Sequence, residues 1–139
     1  MGNKYKIIND RSCLGVMAYG KNIKELFEHS AFAMFSQIAA PAKGARRETY
    51  KITVTADNTE ELLIAFLRQV LYYYSVRKTL LCGFDIMLLT ENKVHAKLTG
   101  EEIIPRHKIL KNLKSVQYGE LRIVKTRAGY KTHIVFEVK

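Results

Sequence analysis

The sequence predicts an α+β fold in which two helices pack on a largely antiparallel β-sheet. Two segments, 23–38 and 62–74, carry apolar residues at helical spacing. Short stretches in which apolar and polar residues alternate, as strands require, lie before and between them. After residue 78 all the predicted elements are strands, and this order indicates α+β rather than a regular alternation of strands and helices.

The N-terminal half contains three predicted strands, at residues 4–8, 14–19 and 50–54, and both helices. Asn22 and Asn58 are predicted helix caps, because an Asn side chain can accept a bond from a free backbone N–H group. The second helix has a continuous apolar stripe, and its tyrosines are predicted to lie in the core and at its rim rather than to form a base-stacking surface. The residues predicted to be buried on the two helices are Ile23, Phe27, Met34, Leu62, Leu63, Phe66, Leu67 and Val70.

The C-terminal half contains predicted strands at residues 80–90, 94–98, 113–118, 121–125 and 130–138. We expect the last three to be neighbours because short turns join them. If their apolar side chains face the helices, then Arg122, Lys131 and His133 lie on the outer face, with Lys114 and Arg127 nearby.

Length and composition indicate one domain, residues 1–139, of globular type. Hydrophobic residues are 47% and charged residues 26% of the chain, which excludes disordered and collagen-like proteins. No apolar run approaches the length of about 18 residues that crosses a bilayer. The N-terminus lacks the features of a signal peptide, so we expect a cytoplasmic protein whose Cys13 and Cys82 are free thiols.

The charge balance points to a polyanionic partner. Lys and Arg number 23 against 13 acidic residues, a net charge of +10. The excess is concentrated between residues 105 and 131, where Glu120 is the only acid. Nucleic acid is the first interpretation of such a balance, and a solvated basic surface without a partner is the alternative.

The chain has no motif of a known catalytic class. Gly-rich phosphate loops, H-E-x-x-H and a nucleophile elbow are all absent, and four histidines are scattered. An enzyme with Cys13 as nucleophile would need a base that the sequence does not reveal. The residues alone therefore do not predict an enzyme.

Several segments, in order, resemble the archease family. The first is YKIINDRSCLGVMAYGKNIKELFEHSAFAMFSQI, which is similar to the family's opening strands and its L-E-E-L-F-E-x-A-A-x-A-M-F helix. EELLIAFLRQVLYY is similar to the second helix, and Gly100-Glu101 to a G-E pair. LKSVQYGEL resembles I-K-A-V-T-Y-H-x-L, and IVFEVK resembles the closing V-x-F-D-V.

The resemblance implies a protein cofactor of the RtcB-type RNA ligase, which promotes guanylylation and turnover of the ligase in tRNA splicing. It also implies a calcium site built from the Asp of an HTAD turn, a near-terminal Asp and the chain end. Here Cys13 stands at the first position, Glu137 at the second, and Val138 is followed by an extra Lys139. A thiol is a poor ligand for a hard cation. We therefore expect a degraded site, to which Asp10 contributes in part or in which it pairs with Arg11.

Two functions follow as hypotheses. The first is an archease-like accessory protein of an RNA ligase, and the alternative is a stand-alone basic RNA-binding module that has lost the metal site. The residues expected to contact RNA or the ligase are Lys114 and Tyr118, which match the family motif, with Arg122, Arg127 and Lys131.

Overall fold

The computed structural model describes residues 3–10, 13–116 and 121–138, with the backbone alone at residues 9, 10 and 13. Its two helices and eight strands occur in the predicted order, and they confirm the α+β class. In chain order the elements are β1 (Tyr5–Asp10), β2 (Cys13–Gly20), α1 (Ile23–Ile38), β3 (Arg47–Thr55), α2 (Thr59–Ser75), β4 (Thr79–Leu89), β5 (Lys93–Glu102), β6 (Leu113–Val116), β7 (Ile123–Thr126) and β8 (Gly129–Val138).

The strands form two antiparallel sheets where one was expected. The five-stranded sheet has the order β1-β2-β8-β6, with β7 also paired to β8, and the three-stranded sheet has the order β3-β5-β4. The split has a physical reason, since alternation along a strand predicts which residues face the core but not which strand lies beside it.

The two predicted caps start the two helices. Asn22 Oδ1 accepts from the Glu25 N–H at 2.8 Å, and Asn58 Oδ1 accepts from the Glu61 N–H at 2.9 Å. Each bond satisfies one of the backbone donors that the first turn leaves free. The helix starts are therefore those that the local sequence predicts.

Both helices contact both sheets. Helix α1 packs against β2 and β4, and α2 packs against β3, β4 and β6. The rings of Phe27 and Phe66, 5.7 Å apart, join the helices at the centre of the core. The predicted core residues are buried, except that Ile23 is only partly buried because it lies in the first turn of α1. Tyr73 and Tyr74 are buried as predicted, whereas Tyr72 is 45% exposed.

The C-terminal strands are arranged differently from the prediction. Strands β6 and β7 both pair with β8, along the edge that β2 leaves free, and no pairing joins β6 to β7 in the described residues. The two short strands thus pair with different segments of the same long strand, β8. The turn before β8 requires glycine, because Gly129 has a φ of 143° and a Cβ there would meet the backbone of Gly20.

No helix in the described part of the chain is long and apolar enough to span a bilayer.

Candidate functional site

The strand register brings the predicted metal positions into one row at the end of the five-stranded sheet. Asp10 of β1 pairs with Cys13 of β2. Leu14 pairs with Phe136, so position 13 lies beside position 137 on the neighbouring strand. Ser115 of β6 pairs with Glu137 from the other side. Positions that are more than a hundred residues apart in sequence are therefore neighbours.

Glu137 is the carboxylate of this row whose surroundings are described. Its Oε2 accepts a hydrogen bond from Ser115 Oγ at 2.9 Å, and its Oε1 lies 4.0 Å from Lys114 Nζ. Both charged side chains are at least half exposed, so solvent screens the pair and its contribution to stability is small. The side chains of Asp10 and Cys13, and residues Tyr118 and Lys139, lie outside the described part.

The donor set of this row does not fit a calcium ion. Calcium takes six to eight oxygen ligands, whereas position 13 supplies a thiol. The Glu137 carboxylate already faces the Lys114 ammonium, which repels a cation. Among the described side chains, no group of three or more His, Cys, Asp or Glu residues is arranged to hold a metal ion.

Arg122 does not join the other cations predicted to form one basic face. Lys131 pairs in register with Val124, and Arg127 lies exposed in the turn before β8. Arg122 Nη1 lies 3.9 Å from Glu60 Oε1 at the start of α2, so it points to the helix and not to the outer face with Lys131. The alternation rule failed for Arg122 because it precedes β7, which begins at Ile123.

The structure also shows a buried ionic cluster that the sequence reasoning missed. The Glu101 side chain is inaccessible to solvent, and its Oε2 accepts from the Ala42 N–H at 2.8 Å and lies 2.7 Å from His107 Nε2. His107 Nδ1 accepts from the Ile104 N–H at 2.9 Å, which assigns the remaining ring proton to Nε2, facing Glu101. The sequence feature that could have indicated this cluster is Glu101 of the Gly100-Glu101 pair, which is followed six residues later by His107.

Glu101 remains a carboxylate in this setting. Burial by itself would raise the pKa of Glu101, but the hydrogen bonds from Ala42 and His107 and the charge of Arg47 outweigh burial and hold that pKa below its ordinary value. Arg47 Nε lies 3.6 Å from Oε1, which has no hydrogen-bond partner among the described residues. The cluster ties the segment after α1 and the segment after β5 to the three-stranded sheet.

Cys82 is close enough to this cluster for the charges to act on its thiol. Burial and the Glu101 charge raise the pKa of Cys82, and Arg47 opposes them in part. A raised pKa favours the thiol over the thiolate, which is the nucleophilic form. The surroundings of Cys82 therefore do not activate its thiol as a nucleophile.

The match to a known family extends over almost the whole chain, since residues 5–138 match the Archease protein family (MTH1598/TM1083). The chain belongs to the archease family. This confirms the resemblance on which the sequence analysis relied. Protein archease from Methanosarcina mazei is 28% identical over 99% of this chain and 97% of its own length. Protein archease from Pyrococcus abyssi is 28% identical over 84% of each chain.

A solved archease-family structure has the same fold. The solution structure of protein 1598 from Methanobacterium thermoautotrophicum superposes with a TM-score of 0.74, covering 96% of this chain and 98% of that one. The two sequences are 21% identical, so this comparison bears on the fold alone.

Proposed function

We propose that this archease-family chain is a protein cofactor of an RtcB-type RNA ligase and not itself an enzyme. It would promote guanylylation and repeated turnover of the ligase during tRNA splicing or RNA repair in the cytoplasm. The observation that carries the proposal is the family match over residues 5–138, because it includes both helices and the strands of both sheets.

The end of the five-stranded sheet is the surface that we propose for ligase contact. Lys114, which matches the family's I-K-A-V-T-Y-H motif, is exposed there beside Glu137. Breaking an exposed ion pair of this kind costs little free energy, so Lys114 can exchange Glu137 for an acidic group on a partner. Tyr118 belongs to the same motif, and we assign it to this contact from the sequence. The proposed ligase contact does not depend on a bound metal ion.

A ligation assay tests this function. The ligase is supplied well below the RNA concentration, and joined RNA per ligase molecule is measured with and without this protein. We expect multiple turnovers only when the protein is present. Lys114→Ser should reduce the stimulation, whereas Lys125→Ser, an exposed cation on β7, should leave it intact. Product that never exceeds the ligase-alone level would contradict the proposal.

The second candidate is RNA binding without a ligase, which the net charge of +10 favours. RNA affinity that falls steeply with salt in the absence of ligase, together with no stimulation of turnover, would favour this candidate over the first.

A further inference from the structure

A cavity of about 510 Å³ opens between the segment before β3, the turn between α2 and β4, and the segment after β5. We call it the arginine pocket. Four cations line it: Arg46, Arg77, Lys78 and Arg106. They come from three separate parts of the chain, so no continuous run of basic residues marks the cavity in the sequence. Its volume is in the range of about 300–1,000 Å³ that is typical of ligand sites.

The arginines of the arginine pocket are not neutralised within the described structure. Glu48 and Glu102 line the same cavity, yet neither forms an ion pair with Arg46, Arg77 or Arg106 among the described residues. Glu48 instead accepts a long hydrogen bond, 3.5 Å, from the Tyr50 hydroxyl. Lys114 and Arg122, by contrast, each face a carboxylate. The pocket therefore has positive charge available to an anion.

Arg77 is positioned by two aromatic rings. Its guanidinium carbon lies 5.1 Å from the centroid of Tyr50 and 5.0 Å from that of Tyr73. A guanidinium held over aromatic faces keeps its in-plane N–H groups as donors, and these match the oxygens of a phosphate in pairs. Because Tyr73 is buried, one of the two rings that contact Arg77 is held in place by the core.

We propose that the arginine pocket binds a ribonucleotide unit of single-stranded RNA. Arg46, Arg77 and Arg106 contact the phosphate, and Lys78 adds positive charge. The carboxylates of Glu48 and Glu102 form no close ion pair among the described residues, so each can accept a hydrogen bond from the ribose 2′-hydroxyl, which is a donor that DNA lacks. This inference rests on the second candidate function, RNA binding without a ligase, and it stands or fails separately from the proposed action on a ligase.

Binding of a fluorescently labelled single-stranded RNA of about ten nucleotides, followed by anisotropy at several salt concentrations, tests the proposal. The double variant R46S/R106S removes two pocket cations, and K93S/K125S removes two exposed cations outside the pocket. Each lowers the net charge by two, from +10 to +8, so overall attraction is matched. We expect R46S/R106S to weaken binding about tenfold or more and to flatten the salt dependence, whereas K93S/K125S changes affinity less than about twofold.

A third variant separates geometry from charge. Arg77→Lys keeps the positive charge but loses the planar guanidinium that lies over the two tyrosine rings. We expect this variant to bind RNA severalfold more weakly while its circular dichroism spectrum shows an unchanged fold. Equal weakening of RNA binding by the two double variants, or no RNA binding by the parent at low salt, would overturn the proposal that the arginine pocket binds RNA. DNA of the same sequence bound as tightly as RNA would overturn the ribose contact. An acidic peptide that binds with the same dependence on Arg46 and Arg106, and more tightly than RNA, would overturn the RNA assignment.

Discussion

At the scale of single residues, two glutamates show how surroundings decide a role. Glu137 is half exposed, and its pairing with Lys114 costs little to open. Glu101 is fully buried and is held by Ala42, His107 and Arg47. Removal of one partner from a buried pair leaves a group that water cannot reach, so the second cluster matters far more for stability than the first.

Glu101→Gln should lower the free energy of unfolding by about 1.5–3 kcal/mol at neutral pH, because charge-assisted hydrogen bonds are lost. The pKa of Glu101 is depressed in the folded protein, so its stabilising contribution is present above the ordinary value of 4.5 and is lost as the pH falls through the depressed value. Urea melts of both proteins between neutral pH and about pH 3 should therefore converge toward acid. A gap that stays constant down to the lowest pH would contradict this account.

Cys13→Asp should strengthen calcium binding, because it places a carboxylate in the row that contains positions 10 and 137. We expect the parent to bind calcium more weakly than micromolar and Cys13→Asp to bind at least about tenfold more tightly. Cys13→Ser is the control, since it removes the thiol without adding charge. Calorimetric titration gives the affinities. A parent that binds calcium with micromolar or tighter affinity would contradict the prediction that its site is degraded.

At the scale of elements, α2 is the clearest case of local sequence and packing in agreement. Asn58 caps it, and one face is buried from Leu62 to Tyr74. Tyr72 lies between buried neighbours and is still 45% exposed, because it falls on the other side of the helix. Helical periodicity thus predicts both what is buried and what is not.

Phe66→Ala should reduce the free energy of unfolding by about 3–5 kcal/mol, since a fully buried ring is lost and a cavity remains between the helices. Tyr72→Ala, on the exposed side of the same helix, is the matched control and should cost clearly less. Denaturant melts measure both variants. A loss below about 1 kcal/mol for Phe66→Ala would be incompatible with its position in the core.

At the scale of the whole molecule, the two sheets do not have separate cores. One continuous group of buried apolar residues includes Val16 of the five-stranded sheet, Leu98 of the three-stranded sheet and both helices. Neither sheet could unfold without exposing the helix faces that also cover the other.

Unfolding should accordingly be a single cooperative transition. We expect near-ultraviolet circular dichroism, which follows the buried tyrosines, and far-ultraviolet circular dichroism, which follows the backbone, to give the same denaturant midpoint. The two curves would separate if the sheets unfolded independently.

Local pattern was enough to predict the helices, their caps, most strands and the buried stripe of α2, because each depends on neighbours within a few residues. The archease resemblance, and not local pattern, placed Cys13 and Glu137 in one predicted site. The strand register puts these two positions side by side. The contacts of the remaining site residues could not be predicted from local sequence pattern or from the resemblance. Arg122 turned to Glu60, and four cations from distant segments met in the arginine pocket.

Strand pairing is the reason for this difference. The residues that form β6, β7 and β8 were recognisable, but their order in the sheet depends on which edge is free after β2 has paired, and that is a property of the assembled chain. The buried bond between Glu101 and His107 likewise exists because folding closes the segment after β5 over the sheet. Periodicity along the chain determines which side of an element is apolar, whereas only the packed structure determines which distant charges become neighbours.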